Sequence, residues 1–247
     1  MLKKFKADLH IHTCLSPCGE LEMSPSAIVK TSSEMGLDII AVTDHNSAEN
    51  VIAAKKAAAH TDLTVLAGME ITSSEEAHIL ALFDDVERIE ELQETVYDNL
   101  LPGVNDEKRF GDQIVVNEKE EVLDFNQRLL ITATELTAHS IVNTIHSLGG
   151  LSIASHIDKD IFSIISQLGF IPDDLKFDAL EMSPGIDREK AEQLFMLYNS
   201  YTWMSSSDAH HLHDIGKRTT GFFMKEPTIK EMALAIKNIN GRGVEWK

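Results

Sequence analysis

Asp8-Leu9-His10-Ile11-His12-Thr13 ends the first apolar run of the chain and sets the terms for everything after it. In a strand, alternate residues face the same way, so Asp8, His10 and His12 share one face while Leu9 and Ile11 turn toward the opposite layer. Two imidazoles two residues apart can grip one metal ion. The same spacing also occurs in histidines that only line a core edge, so the motif needs support from the rest of the chain.

Strand-type runs recur at 5–11, 38–43, 64–71, 78–83, 151–155, 177–182, 201–205 and 219–224. Helical spacing of apolar residues marks 24–35, 47–59, 137–148, 187–199 and 228–238. Strands alternating with helices predict βα units on a mostly parallel sheet or barrel. Ser24-Pro25 and Thr228 read as helix starts and Gly36 as a stop. The stretch 84–134 breaks the rhythm with an acidic helical segment (86–100), a Pro102-Gly103 turn and polar residues through Glu121. It reads as an insertion carried by one domain spanning 1–247, either a solvated excursion or a lid beside the active site.

The chain has 247 residues, 43% hydrophobic and 25% charged, and no apolar run long enough to span a membrane. The basic N-terminus leads straight into the Asp/His strand instead of an apolar signal region, so a cytoplasmic address and no membrane partner are expected. A formal charge of −18 argues against holding long nucleic acid, which calls for a basic stripe; a small anion drawn in by a local positive field fits better. The two cysteines, Cys14 and Cys18, are too few for a disulfide framework and not spaced as the pairs of a structural zinc site.

Further metal-ligand residues fall at matching places. Thr43-Asp44-His45 follows an apolar run, as does Gly68-Met69-Glu70; His78 opens the next run, His156 follows 151–155, and Ser207-Asp208-Ala209-His210 follows 201–205. Each is weak alone: a lone Glu at a strand end is usually solvated and a lone His usually structural. Together they place His, Asp or Glu at five strand-like runs, and in α/β barrels the C-terminal strand ends are where catalytic groups collect.

The ordered set Asp8-Leu9-His10-Ile11-His12-Thr13, Thr43-Asp44-His45, Glu70, His78, His156 and Ser207-Asp208-Ala209-His210 resembles the PHP (polymerase and histidinol phosphatase) superfamily over nearly the whole chain. The resemblance implies a distorted (β/α)7 barrel with the inserted segment, two or three divalent metal ions (zinc, manganese or iron) and a phosphoesterase activity. It implies one metal on His10, His12, Glu70 and Asp208, a second on Glu70, His78 and His156, and a third on His45, His210 and Cys18. Relatives commonly carry His or Asp where Cys18 stands; the cysteine is either a thiolate ligand favouring zinc or iron, or a small buried residue beside Gly19. Cys14 reads as the latter kind. Ser155-His156-Ile157-Asp158 also departs from the Ala-His-Pro of many relatives. Asp8 and Asp44 are expected to orient ligand histidines from behind.

With three ions against Cys18, Glu70 and Asp208, the cluster would hold a local excess of about +3 and select anions. The expected reaction is hydrolysis of a phosphate ester, a monoester or a small-nucleotide diester, by a metal-bridging hydroxide. Asp208, His210 and Glu70 are the candidate catalytic residues, and Lys217, Arg218 and His211 are candidates for gripping substrate. Lys217 and Arg218 read equally well as basic residues of an exposed loop, and His211 and His213 as a polar loop. His60 and His146 read as surface or packing residues. The expected partner is a small phosphorylated substrate such as a nucleotide. Alternatives are a histidinol-phosphatase-like enzyme, a C–N amidohydrolase, and a non-catalytic metal-binding partner module.

Overall fold

The computed structural model describes residues 1–246. Its strands are β1 (Lys3–Ile11), β2 (Ile39–Val42), β3 (Thr64–Thr72), β4 (His78–Phe83), a hairpin of β5 (Ile114–Val116) and β6 (Val122–Phe125), then β7 (Leu151–Ala154), β8 (Ala179–Met182), β9 (Thr202–Ser205), β10 (Thr220–Met224) and β11 (Gly243–Trp246). All but the hairpin join one sheet in the order β11-β10-β1-β2-β3-β4-β7-β8-β9. The edge strands β11 and β9 lie side by side, so the sheet curls into a distorted, nearly closed α/β barrel.

The sheet is mixed, not mostly parallel. β1–β2, β2–β3, β7–β8 and β8–β9 pair parallel, whereas β3–β4, β4–β7, β1–β10 and β10–β11 pair antiparallel. A parallel pair needs a crossover, and the short link between Thr72 and His78 is long enough only for a hairpin. The reversal matters for the site: β4 begins, and its neighbour β3 ends, at the same mouth of the barrel.

Two apolar layers follow from strand alternation. Ile39, Ala41, Leu66, Leu80, Leu82 and Ile153 fill the barrel interior, where Met232 and Ala235 of α8 (Ile229–Ile236) join them. The N–H of Ile229 donates to Asp84, just past the end of β4, so α8 closes the end opposite the mouth. Outside, Ile40, Val42, Val65 and Ala67 pack under α1 (Pro25–Glu34), α2 (Val51–Ala58), α3 (Val86–Asp98) and, further round, α5 (Ala138–Ser147). In α3, Ile89, Leu92 and Val96 are fully buried, worth about 2 kcal/mol of transfer free energy each. The start of the inserted stretch is therefore part of the barrel wall.

Strict alternation fails in β1. Leu9 packs in the inner layer and Ile11 in the outer one, because the pairing with β2 slips between Asp8 and Ile11. Such a bulge bends the strand and re-aims the side chains after it. Other boundaries shift for local reasons. Ser24 caps α1 and Thr228 caps α8 as expected. α2 begins at Val51 instead of Ser47, since Ser47 and Ala48 bond to Gln93 and Tyr97 of α3. α7 (Arg188–Leu194) stops short, and a 3-10 turn at Met196–Tyr198 replaces its expected last turn. The rest of the insertion comprises the short α4 (Glu107–Phe110) and the β5–β6 hairpin, which lies against the loops following β1 and β2.

Candidate metal centre

Glu70 stands at the middle of the mouth, 1% exposed. Its Oε1 lies 3.3 Å from His10 Nε2, 3.1 Å from His78 Nδ1 and 3.3 Å from His156 Nε2, and its Oε2 lies 3.1 Å from His45 Nδ1. Asp208 Oδ1 is 3.4 Å from both His10 Nε2 and His12 Nε2. His210 Nε2 meets Cys18 Sγ at 3.0 Å. Three groups of donor atoms gather tightly enough to hold an ion: His12, Cys18, His45 and His210; His10, His12 and Asp208; and His45, Glu70 and His78. Every residue expected to ligate is thus at the mouth, with the sharing altered. His12 joins the Cys18 group, His45 joins the Glu70–His78 group, and His156 reaches Glu70 from the side.

The topology explains the placement. His10 and His12 leave the bulged end of β1, while His45, beyond the end of β2, forms a parallel bridge with Glu70 among the last residues of β3. His78 opens its strand because β4 runs the other way. His156 and Asp208 follow β7 and β9 with positive φ of 27° and 51°, conformations that cost of order 1–3 kcal/mol and collect at functional sites.

Hydrogen bonds behind the cluster fix the imidazoles. Glu181, 1% exposed, accepts from His10 Nδ1 at 2.9 Å, which leaves the Nε2 lone pair facing the mouth. His12 Nδ1 donates to Ser16 Oγ at 2.9 Å, and Ser16 Oγ–H donates to Asp44 at 2.8 Å. His10 Nε2 and His12 Nε2 meet at 3.1 Å and also face Glu70 and Asp208, so a proton held between them by these carboxylates occupies the place a cation would take. Glu70 Oε1, His78 Nδ1 and His156 Nδ1 are buried without a hydrogen bond, although Glu70 Oε1 has imidazole nitrogens close by. Glu70 Oε1 and His78 Nδ1, 3.1 Å apart and both without a hydrogen bond, fit a cation between them, and the imidazole, carboxylate and thiol set around them suits zinc or iron.

The charges point the same way. Burial opposes ionisation of Glu70 and Asp208, yet the surrounding histidines hold both carboxyls well below the usual range. Burial also opposes the charge on His10, but Glu70, Glu181 and Asp208 raise its pKa well above normal. Burial and the neighbouring His210 push His12 down to about 4. The Cys18 thiol is pushed up by burial and by the Glu70 and Asp208 carboxylates, a cost that a bound cation would reverse.

Asp44 lies behind His12, one hydrogen bond further on from Ser16. Asp8 does not: its carboxylate accepts from the N–H groups of Ser207 and Gly216, tying the loop after β9 to β1 instead of touching an imidazole. Lys217, Arg218 and His211 also lie away from the cluster cavity. Lys217 pairs with Asp214 at 2.6 Å, Arg218 Nε donates to the Pro184 carbonyl, and both line a separate cavity with Lys4 and Lys6. His211 faces Glu20 at 3.9 Å, 46% exposed at its side chain. Past His210 the loop is held by the Gly216 N–H on Asp8, away from the cluster cavity's lining.

Sequence reasoning missed Glu181, Ser16 and Lys159. Lys159 Nζ bonds Asp208 Oδ2 at 2.5 Å and is the only lysine or arginine among the described residues lining the cluster cavity of about 220 Å³. A carboxylate inside the apolar run Ala179-Leu180-Glu181-Met182 was the one available signal for Glu181. Ser16 and Lys159 sit in loops, where spacing says nothing. Cys14, in contrast, is buried, with its thiol pushed up to about 12 by burial, a packing residue as expected.

A curled α/β sheet whose mouth gathers histidines around a buried glutamate and an aspartate is the architecture of metal-dependent hydrolases. The family model of the PHP domain matches residues 8–173, and the chain belongs to that family. It is 25% identical to the Bacillus subtilis protein YqxK over 274 residues, covering 98% of this chain and 64% of YqxK. The fold matches the lesion-specific endonuclease PfuEndoQ from Pyrococcus furiosus with a TM-score of 0.75 at 20% identity, over 98% of this chain and 58% of the endonuclease chain. It also matches a metal-dependent phosphoesterase from Bifidobacterium adolescentis with a TM-score of 0.57 at 19% identity, over 83% and 87% of the two chains. The chain thus spans less than two thirds of YqxK and of the endonuclease.

One expectation is overturned by these relatives. Endonuclease Q, of which this chain covers 58%, has been solved with a 27-mer duplex carrying an abasic lesion at its active site, so the exclusion of long nucleic acid does not hold. The whole-chain charge of −18 is a sum over all faces, whereas binding depends on the field at one of them. As for membranes, no helix among the described residues is long and apolar enough to cross one.

Proposed function

We propose that the chain hydrolyses phosphate esters in the cavity above Glu70. The observation that carries this reading is the convergence of buried donors without hydrogen bonds around Glu70, with one lysine at the rim of the same cavity. His10, His12, His45, His78, His156, His210, Glu70, Asp208 and Cys18 would hold two or three divalent ions. Such ions lower the pKa of water and neutralise phosphoryl oxygens. The chain's own residues supply the rest. Glu181, and Asp44 through Ser16, keep Nδ1 of His10 and His12 protonated so that Nε2 remains a donor. Lys159, freed from Asp208 when that carboxylate is engaged, reaches a phosphoryl oxygen. The participation of Cys18 favours zinc or iron over magnesium. Residues 1–247 act as one domain in this reading, with the insertion contributing Ile131 to the cavity wall.

The test is a panel of phosphate monoesters and diesters, nucleic acid included, offered to protein loaded separately with zinc, iron or manganese. Asp208→Ala should lose both metal content and hydrolysis. Undiminished hydrolysis in that variant would contradict the assignment.

A further inference from the structure

The loop that follows His156 carries two unlike side chains to the cavity, Lys159 and Phe162. The Phe162 ring lies parallel to the His78 imidazole, with centroids 4.7 Å apart and planes 9° from each other. Its carbonyl accepts from the His78 N–H at 2.8 Å, so backbone and ring together fix it beside that histidine. Phe162 has a φ of 59°, an uncommon conformation for a bulky residue, held here by the pairing to β4 on one side and the capped start of α6 (Ile164–Leu168) on the other. Despite this anchoring Phe162 remains 38% exposed as a residue, and its neighbours at the mouth, Ile161 and Ile131, are 62% and 37% exposed.

A doubly anchored phenyl ring with one face on His78 and part of its surface open at the mouth is a platform without an occupant of its own. We infer that it receives a planar aromatic ring belonging to the substrate. The proposal rests on the phosphate-ester reading above and specifies what the ester carries. A phosphoryl group held by Lys159 and the cluster has donors and buried walls beneath it, so the remainder of the ester must leave through the mouth. There it meets Phe162, Ile131 and Ile161. Stacking of a base or aryl ring on an aromatic side chain is worth about 1–3 kcal/mol and tolerates ring identity. Phe162 is thereby a specificity-determining residue, and the shared ligand chemistry is a phosphate ester with a planar ring next to the ester or one sugar away.

The experiment compares substrates that differ only in the ring. Adenosine 5′-monophosphate against ribose 5-phosphate reads a base one sugar away; phenyl phosphate against methyl phosphate reads a ring at the ester itself. In the metal-loaded protein, Phe162→Leu should lower kcat/KM about tenfold for one or both ring-bearing esters. It should leave their ringless counterparts unchanged, and Phe162→Tyr should restore the ring-bearing rate. An equal loss for ringed and ringless esters would show that Phe162 only props His78, and no loss for any would show that it touches no substrate; either overturns the proposal. Calorimetric binding of adenosine 5′-monophosphate and ribose 5-phosphate needs no turnover. If the wild-type protein hydrolyses nothing yet prefers the nucleotide, and Phe162→Leu abolishes that preference, the platform stands and the phosphoesterase reading fails. Equal binding of the two by the wild-type protein, with no ring preference in hydrolysis, removes the platform.

Discussion

Glu181 does for His10 what Ser16 and Asp44 do for His12: each hydrogen bond from Nδ1 leaves Nε2 aimed at the cluster. Carboxylates behind ligand histidines typically account for 10–100-fold in metal affinity. Glu181→Gln should therefore weaken metal binding about tenfold or more with the fold retained, as read by chelator competition and circular dichroism. Unchanged affinity would make Glu181 a structural partner only. Cys18 supplies a second residue-level test. It lies in an exposed position with its Sγ turned toward His210, whereas Cys14 is buried. Alkylation of Cys18 should be slow in metal-loaded protein and faster after chelation, because a ligating sulfur is not a free nucleophile, with Cys14 silent in both states. Equal rates before and after chelation would remove Cys18 from the ligand set. At this scale the histidines and acids that gather at the mouth were legible in the sequence, since each is a metal-type residue in or next to an apolar run; Cys18 follows no such run and was reached only through the family resemblance. Their supports were not: nothing in the spacing of Ser16 or Glu181 tells which histidine lies across the barrel.

Elements place those residues, and here the sequence was half readable. The apolar runs marked the barrel strands β1–β4 and β7–β10, but direction depends on connection length, and the mostly parallel expectation overlooked the short link between β3 and β4. β5, β6 and β11 escaped detection because little of them is buried: β6 is exposed throughout, and β5 and β11 bury only their last residue. The bulge in β1 leaves no residue signature, as Leu9 and Ile11 are equally apolar. Asn50 shows how the inserted hairpin is bound to the mouth. Fully buried, it donates to Thr13 Oγ1 at 2.9 Å and to the Ile114 carbonyl at 3.0 Å, and accepts from the Val116 N–H at 3.0 Å. Asn50→Ala would strand these partners, so a loss of about 2–4 kcal/mol is expected. A lowered urea midpoint at constant slope is the measurement; a midpoint within error of wild type would mean the hairpin holds itself.

For the whole molecule, the cluster is a place where folding and function oppose each other. Glu70 and Glu181 are buried and Asp208 nearly so, all three beside His10, and in the absence of a cation they are balanced only by that histidine's raised affinity for a proton and by Lys159 at Asp208. A ligand that binds the folded state alone stabilises it by about 2.7 kcal/mol at one hundred times its Kd, which for a chain of this size corresponds to a rise in Tm of about 5–10 °C. Scanning calorimetry with zinc, iron and manganese should show this rise in the wild type and lose most of it in Asp208→Ala. The account's central claim is that the donors around Glu70 and Asp208 meet on metal ions. Anomalous-difference maps recorded across the zinc, iron and manganese edges of metal-loaded crystals test it most directly. Peaks within bonding distance of Glu70 and of Asp208, with a further peak touching Cys18, His45 and His210, are the predicted result. Fully loaded crystals with no anomalous peak at the barrel mouth would contradict it.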